Sequence, residues 1–191
     1  TPFDGIDTGT PLTSAPVTIE NSPPVLELAA LTPAPAYTDD TMVCAPGTTT
    51  DPDGDTAFTF TYRWEVGGVL MSTETGSTLG SSHFSRGATV QCEITPHDTS
   101  DAGAPVDSNI VTILNSRPEV DSVTLSHTTV ATDDVVTVSI TTSDADDEPV
   151  FTLVEWRVDG VVVLSGYTAT VLSGTAYFDK GQTITVDVTP E

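Results

Sequence analysis

The sequence predicts an all-β protein made of antiparallel β-sandwiches arranged in tandem. Three observations lead to this fold class. Apolar and polar residues alternate along many short runs, Gly, Pro and Asp separate those runs, and the whole pattern recurs every 94 residues. Alternation with a period of two places the apolar side chains of a strand on one face. Seven or so short strands per repeat, joined by turns, are typical of a sandwich of two sheets.

The alternation is clearest at residues 58–66. The even-numbered residues of this run are aromatic or apolar and share one face, while Thr, Arg and Glu occupy the other. Gly67-Gly68 follows this run and Asp159-Gly160 follows its copy in the next repeat, so each pair is predicted to form a tight hairpin turn. Residues 14–19 read SAPVTI and match SNIVTI at 108–113, which predicts another strand of the same kind.

The repeat defines the predicted domain boundaries. Residues 1–24 are identical to residues 95–118 at 13 of 24 positions, and the linkers Asn-Ser-x-Pro begin at Asn21 and Asn115. Residues 1–22 are therefore predicted to hold the last strand or strands of a preceding repeat. Residues 23–116, the first unit, form a complete domain, and residues 117–191, the second unit, form a domain without its final strand.

Two arrangements account for a sequence that starts and stops inside a repeat, and the sequence leaves both open. In one, the chain is a window on a longer covalent array of repeats. In the other, residues 11–20 of one molecule supply the missing strand to the second unit of the next molecule, head to tail. Both predict that the partners are neighbouring copies or repeats and that the assembly is linear.

The charge of the chain excludes several classes of partner. There are 28 acidic residues and five basic ones, which gives a formal net charge of −23. A nucleic-acid partner is not expected, because its phosphates require Lys and Arg. Membrane insertion is not expected either, since no stretch approaches the roughly 20 apolar residues of a spanning helix. The acidic side chains repel one another, so we expect the protein to occur with divalent cations or in a saline medium, which would offset this repulsion.

Two cysteines and a tryptophan suggest a family. Cys44 lies on the second predicted strand of the first unit, Cys92 on the sixth, and Trp64 between them on the third. This order resembles the immunoglobulin fold. Further motifs recur in order: the Asn-x-x-Pro linker, Thr-Asp-Asp at 38–40 and 132–134, and Asp-Pro-Asp-Gly-Asp at 51–55. The chain is similar to the tandem immunoglobulin-like repeats of bacterial secreted and surface proteins, and to polycystic-kidney-disease-type repeats, although Trp64 is not followed by the usual Gly-Asp-Gly.

The resemblance implies tandem immunoglobulin-like sandwiches and a Cys44–Cys92 disulfide, with two buried free thiols as the alternative. A disulfide implies an oxidising compartment, hence a secreted or cell-surface bacterial protein. In the second unit, Val138 and Val186 replace the cysteines around Trp156, so that core is predicted to hold by packing alone. Modules of such families are usually extenders, stalks or fibre subunits.

Two acidic loops are candidate calcium sites, because hard cations prefer carboxylate oxygens. The first loop offers Asp51, Asp53 and Asp55, and in this fold it lies beside the loop that holds Asp98 and Asp101. The second offers Asp144, Asp146 and Glu148. The alternative is that these residues only form turns, for which Asp, Pro and Gly are the usual residues.

The sequence contains none of the common catalytic or nucleotide-binding motifs, and its three histidines fall at unrelated repeat positions. We therefore expect a non-enzymatic structural protein that forms part of an extracellular bacterial filament or stalk. Two alternatives remain open. The chain could be an adhesin or carbohydrate-binding module with a surface ligand, which exposed aromatic side chains would favour. It could also be a spacer of a secreted enzyme.

Overall fold

The computed structural model describes residues 1–3 and 5–191 and is all-β. The first unit contains β1 (Val25–Leu26), β2 (Ala29–Thr32), β3 (Ala36–Tyr37), β4 (Met42–Pro46), β5 (Thr49–Thr50), β6 (Thr59–Val66), β7 (Val69–Met71), β8 (Thr78–Leu79), β9 (Thr89–His97), β10 (Val106–Asp107) and β11 (Val111–Leu114). The second contains β12 (Glu119–Leu125), β13 (Val135–Ser143), β14 (Thr152–Val158), β15 (Val161–Gly166), β16 (Val171–Ser173) and β17 (Ile184–Pro190). A 3-10 turn at Ser81–His83 and the short helix α1 (Gly174–Tyr177) complete the described secondary structure.

The first unit packs two main sheets face to face. One is β2-β4-β8, and the other follows the order β3-β11-β9-β6-β7, with β10 also paired to β9. A further two-stranded ladder joins β1 to β5. All pairings are antiparallel except β3 with β11, which run parallel. Strand β11 therefore lies between β3 and β9 and closes one side of the sandwich.

The second unit repeats this plan with fewer strands. Its sheets are β12-β13-β16 and β15-β14-β17, both antiparallel. Strand β17 occupies the place of β9, and within the described residues nothing pairs with its outer edge. This unit therefore has an open side where the first unit carries β11.

Each unit has its own core around one tryptophan. Trp64 on β6 and Trp156 on β14 are both fully buried. Each indole N–H donates to a backbone carbonyl, that of Gly76 at 2.8 Å and that of Ala169 at 2.6 Å. Burial of a large aromatic side chain with its one polar atom satisfied is strongly stabilising. The buried residues form two clusters, the first spanning Leu26 to Ile113 and the second Val136 to Phe178.

The hairpins follow the sequence prediction. Gly67 and Gly68 both have positive φ, at 59° and 76°, and connect β6 to β7. Asp159 and Gly160 do the same between β14 and β15, with φ of 48° and 80°. Two successive positive φ values match the right-handed twist of the flanking strands. The predicted phase of β6 is also correct, because Phe60, Tyr62, Trp64 and Val66 contact the core while their neighbours are exposed.

The strand predicted at residues 14–19 is not formed. Residues 9–24 carry no regular secondary structure, and the apolar side chains of residues 11–20 are exposed, with Leu12 at 99%, Val17 at 86% and Ile19 at 86%. The matching residues Val111 and Ile113 are 5% and 1% exposed, because β3 and β9 flank them. A strand requires a neighbour for its backbone hydrogen bonds, and this segment has none.

Candidate functional site

Cys44 and Cys92 form a disulfide between the two sheets of the first unit. Their Cα atoms are 6.3 Å apart, and each residue is 1% exposed. Cys44 lies on β4, Cys92 lies on β9, and Trp64 is paired with Cys92 across the β6–β9 ladder. The alternative of two free thiols is therefore wrong. The disulfide indicates a non-reducing setting for the protein.

The first acidic loop, residues 51–55, contains a hydrogen-bonded turn. The Asp51 carboxylate Oδ1 accepts the Asp53 N–H at 2.7 Å, and Gly54 N–H donates to the Asp51 carbonyl at 3.2 Å. Gly54 takes a φ of 86°, which glycine adopts without steric cost. These residues therefore form a turn, whether or not they also bind a cation.

Three of the predicted carboxylates in the first unit come together. Asp51, Asp55 and Asp98 each offer an oxygen, and these oxygens all lie within 4.8 Å of one another. Asp51 Oδ2 is buried and has no hydrogen-bond partner. An orphaned buried carboxylate oxygen beside two other carboxylates fits a hard divalent cation such as Ca²⁺, which takes six to eight oxygen ligands.

Asp98 already accepts several hydrogen bonds. Its Oδ1 accepts the N–H groups of Ser100 at 2.6 Å and Asp101 at 2.7 Å, and its Oδ2 accepts the Asn21 amide at 3.1 Å. These bonds, led by that from Asp101 N–H, favour the charged form and lower the pKa of Asp98. The Asn21 amide also donates to Asp101 Oδ2 at 3.0 Å. Asp98 and Asp101 therefore hold the linker in place.

The second acidic loop, residues 144–148, has the same turn. Asp144 Oδ1 accepts the Asp146 N–H at 2.7 Å, and Asp147 replaces the glycine with a φ of 59°. No comparable group of three carboxylates forms around this loop in residues 1–3 and 5–191. Glu148 instead pairs with Arg86 of the first unit, 2.6 Å away. The structure thus places Asp146 and Glu148 in contact with the first unit or its linker, while Asp144 closes the turn.

Ser116 is the centre of the junction between the two units. We use the term junction for the contacts among Thr38, Asp39, Ser116 and Asp146. The Ser116 N–H donates to Asp146 Oδ2 at 2.8 Å, and its hydroxyl donates to Asp39 Oδ1 at 2.6 Å. The Thr38 hydroxyl lies 2.8 Å from Ser116 Oγ and 2.9 Å from Asp146 Oδ2.

These groups are shielded from water. Ser116 is 4% exposed and Thr38 is 6% exposed. Hydrogen bonds to a charged carboxylate in such surroundings are stronger than those between neutral groups. One carboxylate of the second unit thus holds both the linker and a turn of the first unit. Arg86 adds a second contact, because its guanidinium reaches Asn115 of the linker as well as Glu148.

The linker before the first unit shows the same contact. Ser22 occupies the repeat position of Ser116, and its N–H donates to Asp53 Oδ2 at 2.6 Å. Asp53 stands in its turn where Asp146 stands in the second turn. The carboxylate-to-linker bond is therefore a property of the repeat. The sequence does not reveal this bond, although Ser22 and Ser116 are identical linker residues, because an aspartate in such a loop is expected equally as a metal ligand or as a turn residue.

No protein-family model matches the chain, and no curated protein matches it. Of the described residues, no helix is long and apolar enough to cross a membrane.

Proposed function

We propose that the protein is a non-enzymatic structural component of an extracellular bacterial filament or stalk, built from tandem immunoglobulin-like domains. The observation that carries this proposal is the repeated bond between a linker serine N–H and an acidic-loop carboxylate, at 2.6 Å for Ser22 and 2.8 Å for Ser116. A contact that recurs at each linker orients each module in the same way relative to the chain that precedes it. Such repetition produces a regular linear object.

The orientation of the two units tests this proposal. Residual dipolar couplings of residues 1–191 are expected to fit one alignment tensor, as for a rigid rod. Asp146→Ala removes the acceptor for Ser116 and Thr38, so the tensors of the two units should separate. Asp133→Ala is the matched control, since it removes the same charge from an exposed turn that makes none of the junction bonds. Two independent tensors in the unaltered protein would contradict the proposal.

We also propose that the group of Asp51, Asp55 and Asp98 binds Ca²⁺ and stiffens the linker that Asn21 attaches to it. The orphaned Asp51 Oδ2 supports a cation at this place. Calorimetric titration of CaCl₂ should show one site that Asp51→Asn weakens by roughly tenfold or more, as expected for the loss of one charged ligand. Asp107→Asn, an exposed change of equal charge elsewhere in the unit, should leave it intact. If both variants weakened Ca²⁺ binding equally, Ca²⁺ would be screening the negative charge of the whole surface and not occupying this site.

An adhesin or carbohydrate-binding role is the alternative, and a spacer of a secreted enzyme is another. Trp64 and Trp156 are buried and cannot contact a ligand. Phe151 and Tyr167 are exposed, at 65% and 57%, and could stack on a sugar. A glycan array probed with the unaltered protein and with a Phe151→Ala, Tyr167→Ala double variant tests this role. Binding that disappears in the double variant would favour the adhesin.

A further inference from the structure

We infer that two copies of this chain pack side by side through an outer sheet face that is almost free of charge, here called the neutral face. In the first unit the neutral face is the outer side of the sheet β2-β4-β8, and in the second unit it is the outer side of β12-β13-β16. The inference goes beyond the order of modules along one chain and names what covers this face.

The strand register fixes which side chains lie on the neutral face of the first unit. Thr32 pairs with Val43, and Val43 pairs in turn with Thr78, so the three side chains share one side of the sheet. All three are exposed, whereas the alternate residues Leu31 and Cys44 are buried in the core. The residues of β2, β4 and β8 include no charged side chain.

The second unit repeats this composition. Thr124 pairs with Ser139, and Thr137 lies on the same side two residues along β13; all three are exposed. The charged residues of β12, β13 and β16 are Glu119 and Asp121, and both lie within the first three positions of β12. The rest of this face is therefore neutral across three strands.

The other outer face of each unit shows that exposed strands of this protein accept charge. Arg63 and Glu93 form an ion pair at 3.0 Å across β6 and β9. Arg157 and Asp187 form another, at 2.5 Å, across β14 and β17. Strand geometry alone therefore does not explain why the neutral face lacks charge.

The absence of charge indicates which kind of partner the neutral face meets. A basic partner would be attracted to carboxylates, which this chain carries elsewhere in large excess. A glycan would favour aromatic side chains to stack on, and the six strands contain none.

A partner with the same sign of charge is the one that requires a face without carboxylates, because like charges brought together at an interface cost free energy. The chain has 28 acidic residues and five basic ones, so a second copy is such a partner. That copies lie close together rests on the proposed function, since a filament or stalk holds them at high local concentration.

The side chains of the neutral face are suited to close packing of two sheets. Valine and threonine are branched at Cβ and have few rotamers, so little side-chain entropy is lost when they are covered. Val43, Val135 and Val171 are 40%, 47% and 48% exposed, and covering them removes apolar surface from water. In the first unit β11 is in place and the neutral face is exposed nonetheless, so its exposure does not depend on the open side of the second unit.

Sedimentation velocity at rising protein concentration tests the inference. The unaltered protein should associate, and more strongly at high NaCl, which screens the repulsion between acidic copies. Val43→Glu with Ser139→Glu puts a carboxylate on the neutral face of each unit and should weaken association by roughly 100-fold. Thr59→Glu with Val162→Glu is the matched control. It adds the same charge on the other outer faces, and Val162 is 40% exposed, as Val43 is.

Maleimide labelling supplies a second measurement that adds no charge. Ser139→Cys should react roughly tenfold more slowly when about nine in ten molecules are associated, because only the free fraction reacts. Ser165→Cys, on the outer side of β15, is the matched control and should react at a constant rate. Cys44 and Cys92 are paired and each 1% exposed, so the introduced thiol alone is labelled.

Three results would overturn the inference. They are an unaltered protein that stays monomeric at every concentration, double variants that associate alike, and Ser139→Cys and Ser165→Cys molecules whose labelling rates respond alike to concentration. Cosedimentation of a monomeric protein with cellulose, lost in the Val43→Glu, Ser139→Glu variant, would also overturn it, in favour of a neutral glycan on this face. The proposed function is tested separately, because the dipolar couplings are measured on dilute monomer.

Discussion

Removal of the disulfide is expected to destabilise the first unit and leave the second unchanged. Cys44 and Cys92 are separated by 48 positions, and closing a loop of that length lowers the entropy of the unfolded chain by an amount equivalent to about 4 kcal/mol. The second unit holds Val138 and Val186 at these positions, so valine is known to fit beside the tryptophan. For Cys44→Val with Cys92→Val we expect the first unit to lose about 2–4 kcal/mol, since packing is retained.

Hydrogen exchange with mass spectrometry can measure the two units separately in one molecule. Peptides from β6 and β9 report on the first unit, and peptides from β14 and β17 report on the second. A loss of 2–4 kcal/mol corresponds to roughly a 30- to 900-fold fall in protection for the most protected amides of the first unit. The second unit has no disulfide and serves as an internal control.

Two results would refute this reasoning. Protection in β6 and β9 that changes by less than about threefold would mean that the loop entropy is not the main effect of the bridge. An equal fall in both units would mean that they unfold as one cooperative body, so that the separate cores around Trp64 and Trp156 do not act independently. The unaltered protein treated with reductant should reproduce the result of the double variant.

Three further predictions concern single residues. Ser116→Ala should cost about 1–2 kcal/mol in the stability of the first unit, measured by urea unfolding, because Asp39 and Thr38 lose a buried hydroxyl partner. Because the pKa of Asp98 is lowered in the folded protein, its charged carboxylate stabilises the fold above the ordinary pKa of about 3.8, and this stabilisation is lost as the pH falls through the folded pKa. In an acid-unfolding titration, Asp98→Asn should therefore reduce the pH dependence of folding stability in this range. Gly103→Ala should destabilise the first unit by about 1–3 kcal/mol, since its Cβ would lie 2.0 Å from the Pro24 carbonyl, whereas Gly80→Ala meets open space and should have little effect on the melting temperature.

Local pattern was sufficient for the fold class and much of the core. Alternation at residues 58–66 predicts which side chains of β6 face the core, because a strand in a sandwich has one solvent-exposed face and one core face. Gly67-Gly68 gave the hairpin, because few other residues adopt two successive positive φ values. The same reasoning failed for residues 14–19. Their pattern is that of a strand, but a strand forms only where a neighbour accepts its hydrogen bonds.

The candidate site was only partly predictable. The sequence identified the carboxylates of both acidic loops, but it could not say which oxygens were already engaged. Asp53 and Asp146 hold linker serines, while Asp51, Asp55 and Asp98 converge. These roles depend on which loops come within hydrogen-bonding distance of one another, at 2.6 Å for Ser22 and Asp53 and 2.8 Å for Ser116 and Asp146, and local sequence patterns do not specify such distances.

Much of the molecule can be predicted from the residues alone: an acidic all-β chain with a repeat of 94 residues, one tryptophan in each core and one pair of cysteines. The fold class and the core tryptophans follow from composition and from the period-two geometry of strands, whereas the pairing of the cysteines was implied by the resemblance to the immunoglobulin fold. The three-dimensional packing was needed to show that Ser116 joins the units through Asp146 and that Arg86 pairs with Glu148 across them. Both depend on which distant segments come within hydrogen-bonding range, and packing alone sets that.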